Sequence, residues 1–400
     1  MDAVRAILDH NAGRDPERLA LKFAKMRKNP FAFLRGSTHL FHARLQRADV
    51  PKSAPMVWCC GDLHLENFGS YQGANGLAYF DINDFDEAAL APATVDPLHL
   101  LTSLWLGACE IGLGDDHILP LARAAVDAYA GALADGKPYW LERQTATGPV
   151  RLLLDQVGAR SQADLLDRRC TGTSKRRRLR VDGRHALPAS EAQQVRVRAA
   201  LADALPAPAF EVLDVARRVA GTGSLGLDRY VVLARGEGGR HGQQLLDLKP
   251  ARPSTLARFS PAKQPHWKSD AQREVALQQR MQAVSMEVLV PLRCAGLPYV
   301  LRVLQPGEDR LDLGSLSHHQ GGGLQHSLAT MGRLMAWAQL RSSGRDGSAS
   351  ADALIAFGRR GQGAGKWRDR LVALSHETAR QVRRDAALFN EACAHGLLDV

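Results

Sequence analysis

The chain has 400 residues, 45% of them hydrophobic and 24% charged, with a formal net charge of +10 at pH 7. That length supports two or three domains around a sizeable core, and no apolar run approaches the ~18–20 residues of a membrane helix. The basic excess favours anionic partners such as nucleotides, phosphorylated metabolites, nucleic acid or a membrane surface, although a solvated arginine-rich surface gives the same sign. Six cysteines without a CxxC pair, and an N-terminus without a signal-peptide pattern, point to the cytoplasm.

In chain order, helical spacing of Val4, Ile7, Leu8, Leu19, Leu21 and Phe23 predicts helix over residues 1–30. Pro30 breaks it, and a second helix opens at Phe31 and runs to about Gln46. Two short apolar runs, 57–60 and 77–80, read as buried strands. A long apolar helix covers 98–111, and a further one, capped by Asp115 or Asp116, covers 118–133. Short helices and a basic loop fill 138–205, and Pro206 with Pro208 marks a boundary. Beyond it, 215–219, 230–234, 245–248 and 299–304 read as strands, separated by turn glycines at 236, 238, 239 and 242, with one helix at 271–283. Helices return at 324–340, 351–357 and 367–393. The expected fold class is α+β: a helical part over 1–205, a small β-rich part over 206–310, and helices over 311–400 that return to the first part.

Both early strands end in acidic and amide side chains: Gly61-Asp62-Leu63-His64-Leu65-Glu66-Asn67 after the first, Asp81-Ile82-Asn83-Asp84-Phe85-Asp86-Glu87 after the second. Oxygen donors at strand ends suit a hard cation such as Mg²⁺. A dinuclear metallophosphatase would need a second Gly-Asp element and a Gly-Asn-His element, and no Gly-Asn-His occurs. In phosphoryl transfer, an Asp orients or deprotonates the acceptor hydroxyl, an Asn five residues later holds Mg²⁺, and an Asp after the next strand holds Mg²⁺ against the phosphates. Asp62, Asn67 and Asp84 supply that set in order.

These residues resemble the catalytic loop of aminoglycoside phosphotransferases and choline kinases, which have the protein-kinase-like fold. The segment 82–88 is similar to their metal-binding segment, and Asp96-Pro97-Leu98 to the helix start that braces the catalytic loop. Asn83, inserted before the acid, leaves Asp81 and Asp84 both open as the metal ligand, with Asp84 favoured because Phe85 follows it. Over nearly the whole chain the sequence is also similar to a bacterial family of uncharacterised proteins, the domain of unknown function 2252 family. That likeness rests on 29–36, on 60–69 with 80–87, and on 219–226 with 246–249.

Gly221-Thr222-Gly223-Ser224-Leu225-Gly226 is a GxGxxG followed by a strand, not by the helix that a dinucleotide fold requires. Strand, glycine turn, strand is the kinase arrangement over nucleotide phosphates. Lys249 ends the next strand, where a kinase places its phosphate-gripping lysine, and Glu274 is the candidate partner. The resemblance therefore implies a two-lobed protein-kinase-like fold with permuted lobe order, because the catalytic loop precedes the glycine loop. It also implies ATP and Mg²⁺ as cofactors and an adenine site near 304–307. The helix at 324–345 should then pack beside the strand at 57–60.

The expected function is transfer of the ATP γ-phosphoryl group to a hydroxyl, with Asp62 and His64 at the catalytic position. Gly221, Gly223, Ser224, Gly226, Lys249 and Glu274 would serve the nucleotide, and Asn67 and Asp84 the metal. The alternatives are a non-catalytic nucleotide- or nucleic-acid-binding protein, pseudokinase-like, or a nucleotidyl transferase using the same pocket. His64 could equally brace its loop, and Arg35 could pair with a carboxylate or a phosphate. The run at 175–180 is the one dense basic stretch. His318-His319 has no acidic neighbour and is not read as a metal site.

Overall fold

The computed structural model describes residues 2–45, 54–173, 176–205, 210–236, 242–306, 309–311, 314, 322–362 and 366–396. The N-terminal region is broken more often than its apolar spacing suggests. Helix α1 (Ala3–Asn11) stops before Gly13, and Asp15 caps α2 (Pro16–Met26), whose first residue is proline. Pro30 likewise starts a helix instead of only ending one: Asn29 Oδ1 accepts from the Ala32 N–H at 2.7 Å, opening α3 (Pro30–Gly36), and α4 (Thr38–Leu45) follows.

Strand β1 (Met56–Cys59) ends in the Gly-Asp loop and a 3₁₀ turn (Leu65–Asn67), then β2 (Phe68–Gln72), β3 (Ala78–Ile82) and β4 (Ala89–Pro92) follow. β1 pairs with β4 and β2 with β3, all antiparallel. The sequence pattern concealed β2 and β4. Ala-Leu-Ala-Pro has little β propensity, and Phe-Gly-Ser-Tyr-Gln is buried on both faces and shows no alternation. Helices α5 (Val95–Glu110), α6 (Asp115–Asp135), α12 (Gly323–Arg341), α13 (Ala351–Gly361) and α14 (Lys366–Ala394) form the largest core with these strands. Gly332 lets α12 lie against α6: a Cβ there would come within 2.1 Å of the Ala125 carbonyl oxygen. The chain leaving α12 reaches β1, where Trp58 Nε1 donates to Arg345 O at 3.0 Å and Ala349 N to Met56 O at 2.7 Å.

After α7 (Gly148–Gly158) and α8 (Gln162–Arg169) come the small pair β5 (Cys170–Thr171) and β6 (Arg178–Leu179), then β7 (Ala186–Pro188) and α9 (Glu191–Ala204). Strands β8 (Phe210–Arg218), β9 (Tyr230–Gly236), β10 (Gln243–Pro250), β11 (Leu289–Cys294) and β12 (Leu297–Leu304) complete the set, with α10 (Thr255–Phe259) and α11 (Asp270–Met281) between β10 and β11. Among the described residues the largest sheet has six antiparallel strands in the order β11-β12-β10-β9-β8-β7. β11 carries Pro291 and lies at an edge, where a missing N–H is tolerated.

The molecule is thus mixed α+β. Val197 and Leu201 of α9 pack on Val215, Val232, Leu246 and Leu301 of the sheet, while Leu165 and Leu166 of α8 pack on Ala216, Val231 and Leu233. These helices precede Pro206 and Pro208, which lie outside the described residues, as do Gly238 and Gly239. No helix among the described residues is long and apolar enough to cross a membrane. Among the described residues, Cys59, Cys60, Cys109, Cys170 and Cys294 form no disulfide.

Candidate functional site

The Gly-Asp loop is fixed from below. Asp96, at the start of α5, accepts from the N–H groups of Cys60 at 2.8 Å and Gly61 at 2.9 Å, and burial pushes its carboxyl up to about 6. His42 Nε2 donates to the Gly61 carbonyl at 2.9 Å. Gly61 has φ +85°, and a Cβ would meet the Glu87 carbonyl oxygen at 2.4 Å, so only glycine fits where the two loops touch. Clamped in this way, the loop turns Asp62 toward a cleft of about 610 Å³ lined from the helical side and from the sheet.

Within it, Thr38 Oγ1 donates to Asp62 Oδ1 at 2.6 Å, and His99 Nε2 lies 3.5 Å from the same oxygen. Withdrawal from water raises the Asp62 carboxyl well above its ordinary value despite the Thr38 bond, and the charges of Asp84 and Glu87 add to the rise. Asn67 Nδ2 donates to the Asp62 carbonyl, which leaves the Asn67 Oδ1 as the end of the amide that could meet a cation. His64 caps the 3₁₀ turn through Nδ1, which accepts from Glu66 N at 3.1 Å, and its Nε2 lies 3.2 Å from Arg35 Nε. Burial and then Arg35 hold its pKa well below the usual value, so the ring is neutral. Arg35 pairs with Glu66 at 2.7 Å, and Arg310 joins the same carboxylate at 3.1 Å.

Across the cleft, Lys249 at the end of β10 reaches both acids of the second loop: Asp84 Oδ1 at 3.2 Å and Asp86 Oδ2 at 2.5 Å. Enclosure alone would raise Asp84, but the Lys249 ammonium holds it low; enclosure and the Asp84 charge push Asp86 up. Two residues earlier on β10, the fully buried Asp247 is ringed by Arg218, Arg229 and Arg302, with Arg302 Nε at 3.1 Å. All three arginines line the cleft. Sequence reading missed this cluster because its four members are scattered over three strands and a turn; only the strand register brings them together.

The GxGxxG stretch is the turn between β8 and β9, and Ala220–Ser224 line the cleft while Gly226 does not. Among the described residues, the N–H groups of Thr222, Gly223 and Ser224 donate to no protein acceptor. The carbonyls are held from behind: Arg14 Nη1 donates to Gly223 O at 2.7 Å and Leu225 O at 2.8 Å, and Arg18 Nη1 to Leu227 O at 2.6 Å. Free amides on one face and anchored carbonyls on the other make a concavity suited to an anion.

Other expected residues fall elsewhere. Asp81 is buried, 3.1 Å from Arg341 Nη2 and accepting from Ala283 N, and does not line the cleft, whereas Asp84 does. Glu274 is buried in α11 with its Oε1 3.6 Å from Arg273 Nη2; it neither lines the cleft nor lies within ion-pair distance of Lys249, whose partners are Asp84 and Asp86. Leu304, Gln305 and Pro306 do not line the cleft, and Gln305 bonds through both ends of its amide to the Gln72 backbone. Gly307, Lys175 and His318-His319 lie outside the described residues. Arg177 pairs with Asp167 at 3.1 Å, and no described residue of 176–180 lines the cleft. No group of three or more His, Cys, Asp or Glu suited to a metal occurs among the described residues. Asp84, Asp86 and the Asn67 amide nevertheless fit Mg²⁺, which needs only one or two carboxylates when phosphates and water complete its shell.

A family profile described as "Uncharacterized protein conserved in bacteria (DUF2252)" matches residues 14–392, and the chain belongs to that family. No curated protein and no solved structure matches it.

Proposed function

We propose that this member of the family is an ATP- and Mg²⁺-dependent phosphotransferase built on a permuted, two-lobed kinase-like fold. The observation that carries the reading is Lys249 reaching Asp84 and Asp86 across the cleft from the Asp62–Asn67 loop, beside a glycine turn with free amides. The Asp96 brace supports it, as does the passage of the chain from α12 to β1.

In this reading the amides of Thr222–Ser224 and the Lys249 ammonium hold the nucleotide phosphates. Asp84, with Asp86 and the Asn67 oxygen, would hold Mg²⁺, whose charge would offset that of the phosphates. Asp62 accepts a hydrogen bond from the acceptor hydroxyl, whose oxygen attacks the γ-phosphorus. The bond from the γ-phosphorus to the β,γ-bridging oxygen breaks, and ADP leaves with the electron pair. The hydroxyl proton passes to Asp62, whose raised affinity for a proton suits a base in that role. His64, neutral and held between Glu66 N and Arg35, positions the loop.

The test is ADP release by the full chain with ATP and Mg²⁺ against a panel of hydroxyl acceptors. Turnover that Asp84→Ala abolishes supports the reading, and ATP binding without turnover would make the protein a nucleotide-binding module instead.

A further inference from the structure

The cleft holds two populations of cation. Lys249, the three arginines around Asp247, and Arg35 with Arg310 each have a carboxylate partner. Four others lining the same cleft, Arg14, Lys22, Arg252 and Arg258, have no carboxylate within ion-pair distance among the described residues. Lys22 is 1% exposed, yet its ammonium meets only neutral oxygens, Asn11 Oδ1 at 2.8 Å and Gly223 O at 3.4 Å. Beside it, His10 and His39 stack at 4.0 Å, and the Nε2 of the 8% exposed His39 has no hydrogen-bond partner among the described residues. Arg252 and Arg258 line the cleft and are exposed, and among the described residues no hydrogen bond or ion pair engages their side chains.

A buried ammonium without a counter-ion is costly unless an anion completes it. The group adjoins Asp62: His39 follows Thr38, which donates to the Asp62 carboxylate, and the Asp62 and Glu87 charges act on Lys22. It therefore lies between Asp62 and the glycine turn, whose Gly223 carbonyl both Arg14 and Lys22 also meet. A cationic acceptor such as choline would meet like charge there.

We propose that Lys22, Arg14, Arg252 and His39 form a subsite for a phosphate monoester, so that the acceptor is a small phosphorylated compound with a free hydroxyl. The acceptor assignment rests on the phosphotransferase reading; the anion subsite does not. The charges of Lys22, Arg14 and Arg252 all act on the neighbouring His10, and three cations so placed suit a dianion better than a single carboxylate.

The experiment is calorimetric titration of the full chain with glycerol 3-phosphate, glycerol and lactate, without ATP or Mg²⁺. The proposal expects glycerol 3-phosphate to bind, glycerol not to bind, and lactate to bind at least about tenfold more weakly. Arg252→Gln and Lys22→Met should each weaken glycerol 3-phosphate at least about tenfold, while Lys249→Met leaves it within about twofold. Arg252 is exposed and unpaired, so that variant tests the site without endangering the fold.

No binding of glycerol 3-phosphate, or binding lost in Lys249→Met and kept in Arg252→Gln, overturns the subsite. Exclusion of glycerol 3-phosphate by saturating β,γ-imido-ATP with Mg²⁺ also overturns it, because the cations would then serve the nucleotide's own phosphates. Anion binding that follows Arg252 and Lys22 in a protein without ATP turnover would sustain the subsite and sink only the phosphotransferase reading.

Discussion

The two walls of the cleft carry similar positive charge and treat it in opposite ways. On the sheet wall each cation has a carboxylate partner in the chain itself: three arginines share Asp247, and Lys249 has Asp84 and Asp86. On the wall built around α1, α2 and the start of α10, the cations have no carboxylate among the described residues and meet carbonyls, an amide oxygen or, for Arg258, the Phe259 ring. In the first arrangement every cation has an internal partner, and the charges fix geometry. The second is incomplete as folded, and its charges await a ligand. Cationic lining alone therefore does not mark a binding site; the presence or absence of an internal counter-ion does.

Substitutions can break this comparison. The largest effect is expected at the join between the walls. Lys249→Met should lower kcat/KM for ATP turnover by about 10²–10³-fold, the scale seen when a group stabilising transition-state charge is removed; turnover within tenfold of wild type would remove Lys249 from the phosphate site. On the sheet wall, Asp247→Ala strands three arginines and should cost about 3–5 kcal/mol in denaturant unfolding. A loss below 1 kcal/mol would mean that the arginines are not held by this carboxylate.

On the helical wall the sign reverses. Lys22→Met removes a buried charge that lacks a carboxylate, and should raise stability without ligand by about 1 kcal/mol. The pH dependence should follow. Burial, then Arg14, holds the Lys22 pKa well below its ordinary value, so the folded state releases this proton at lower pH than the unfolded chain. Between the two values the unfolded state binds more protons, and stability rises with pH. Unfolding free energies measured from pH 7 to 10 should show a shallower rise in Lys22→Met than in wild type. Parallel curves would place Lys22 in contact with solvent or a counter-ion.

Much of the candidate site could be read from the chain because it is local. The five-residue gap from Asp62 to Asn67, the acid after the next strand and the brace at Asp96 are short-range patterns, and the folded chain brings Asp62, Asn67, Asp84 and Lys249 to one cleft. The long apolar helices were legible for the same reason. What escaped depends on register or on packing between distant segments. Arg218, Arg229 and Arg302 acquire meaning only when the sheet order places them around Asp247, and Lys22 looks like any helix lysine until α2 is laid against the glycine turn. Glu274 was chosen by its position after Lys249, but the described structure gives Lys249 two nearer acids. β4 escaped because Ala-Leu-Ala-Pro carries no strand signal apart from its pairing with β1.

The central claim is that Asp84 and its neighbours form a Mg²⁺–nucleotide site, and thermal unfolding of the full chain tests it most directly. Ligand at about 100 times its Kd stabilises a fold by about 2.7 kcal/mol, which is readily measured. ATP with Mg²⁺ should raise the Tm of the wild type, ATP without Mg²⁺ should do so far less, and Asp84→Asn should lose the difference. An unchanged Tm in the wild type, or an equal rise in Asp84→Asn and without Mg²⁺, would contradict the assignment.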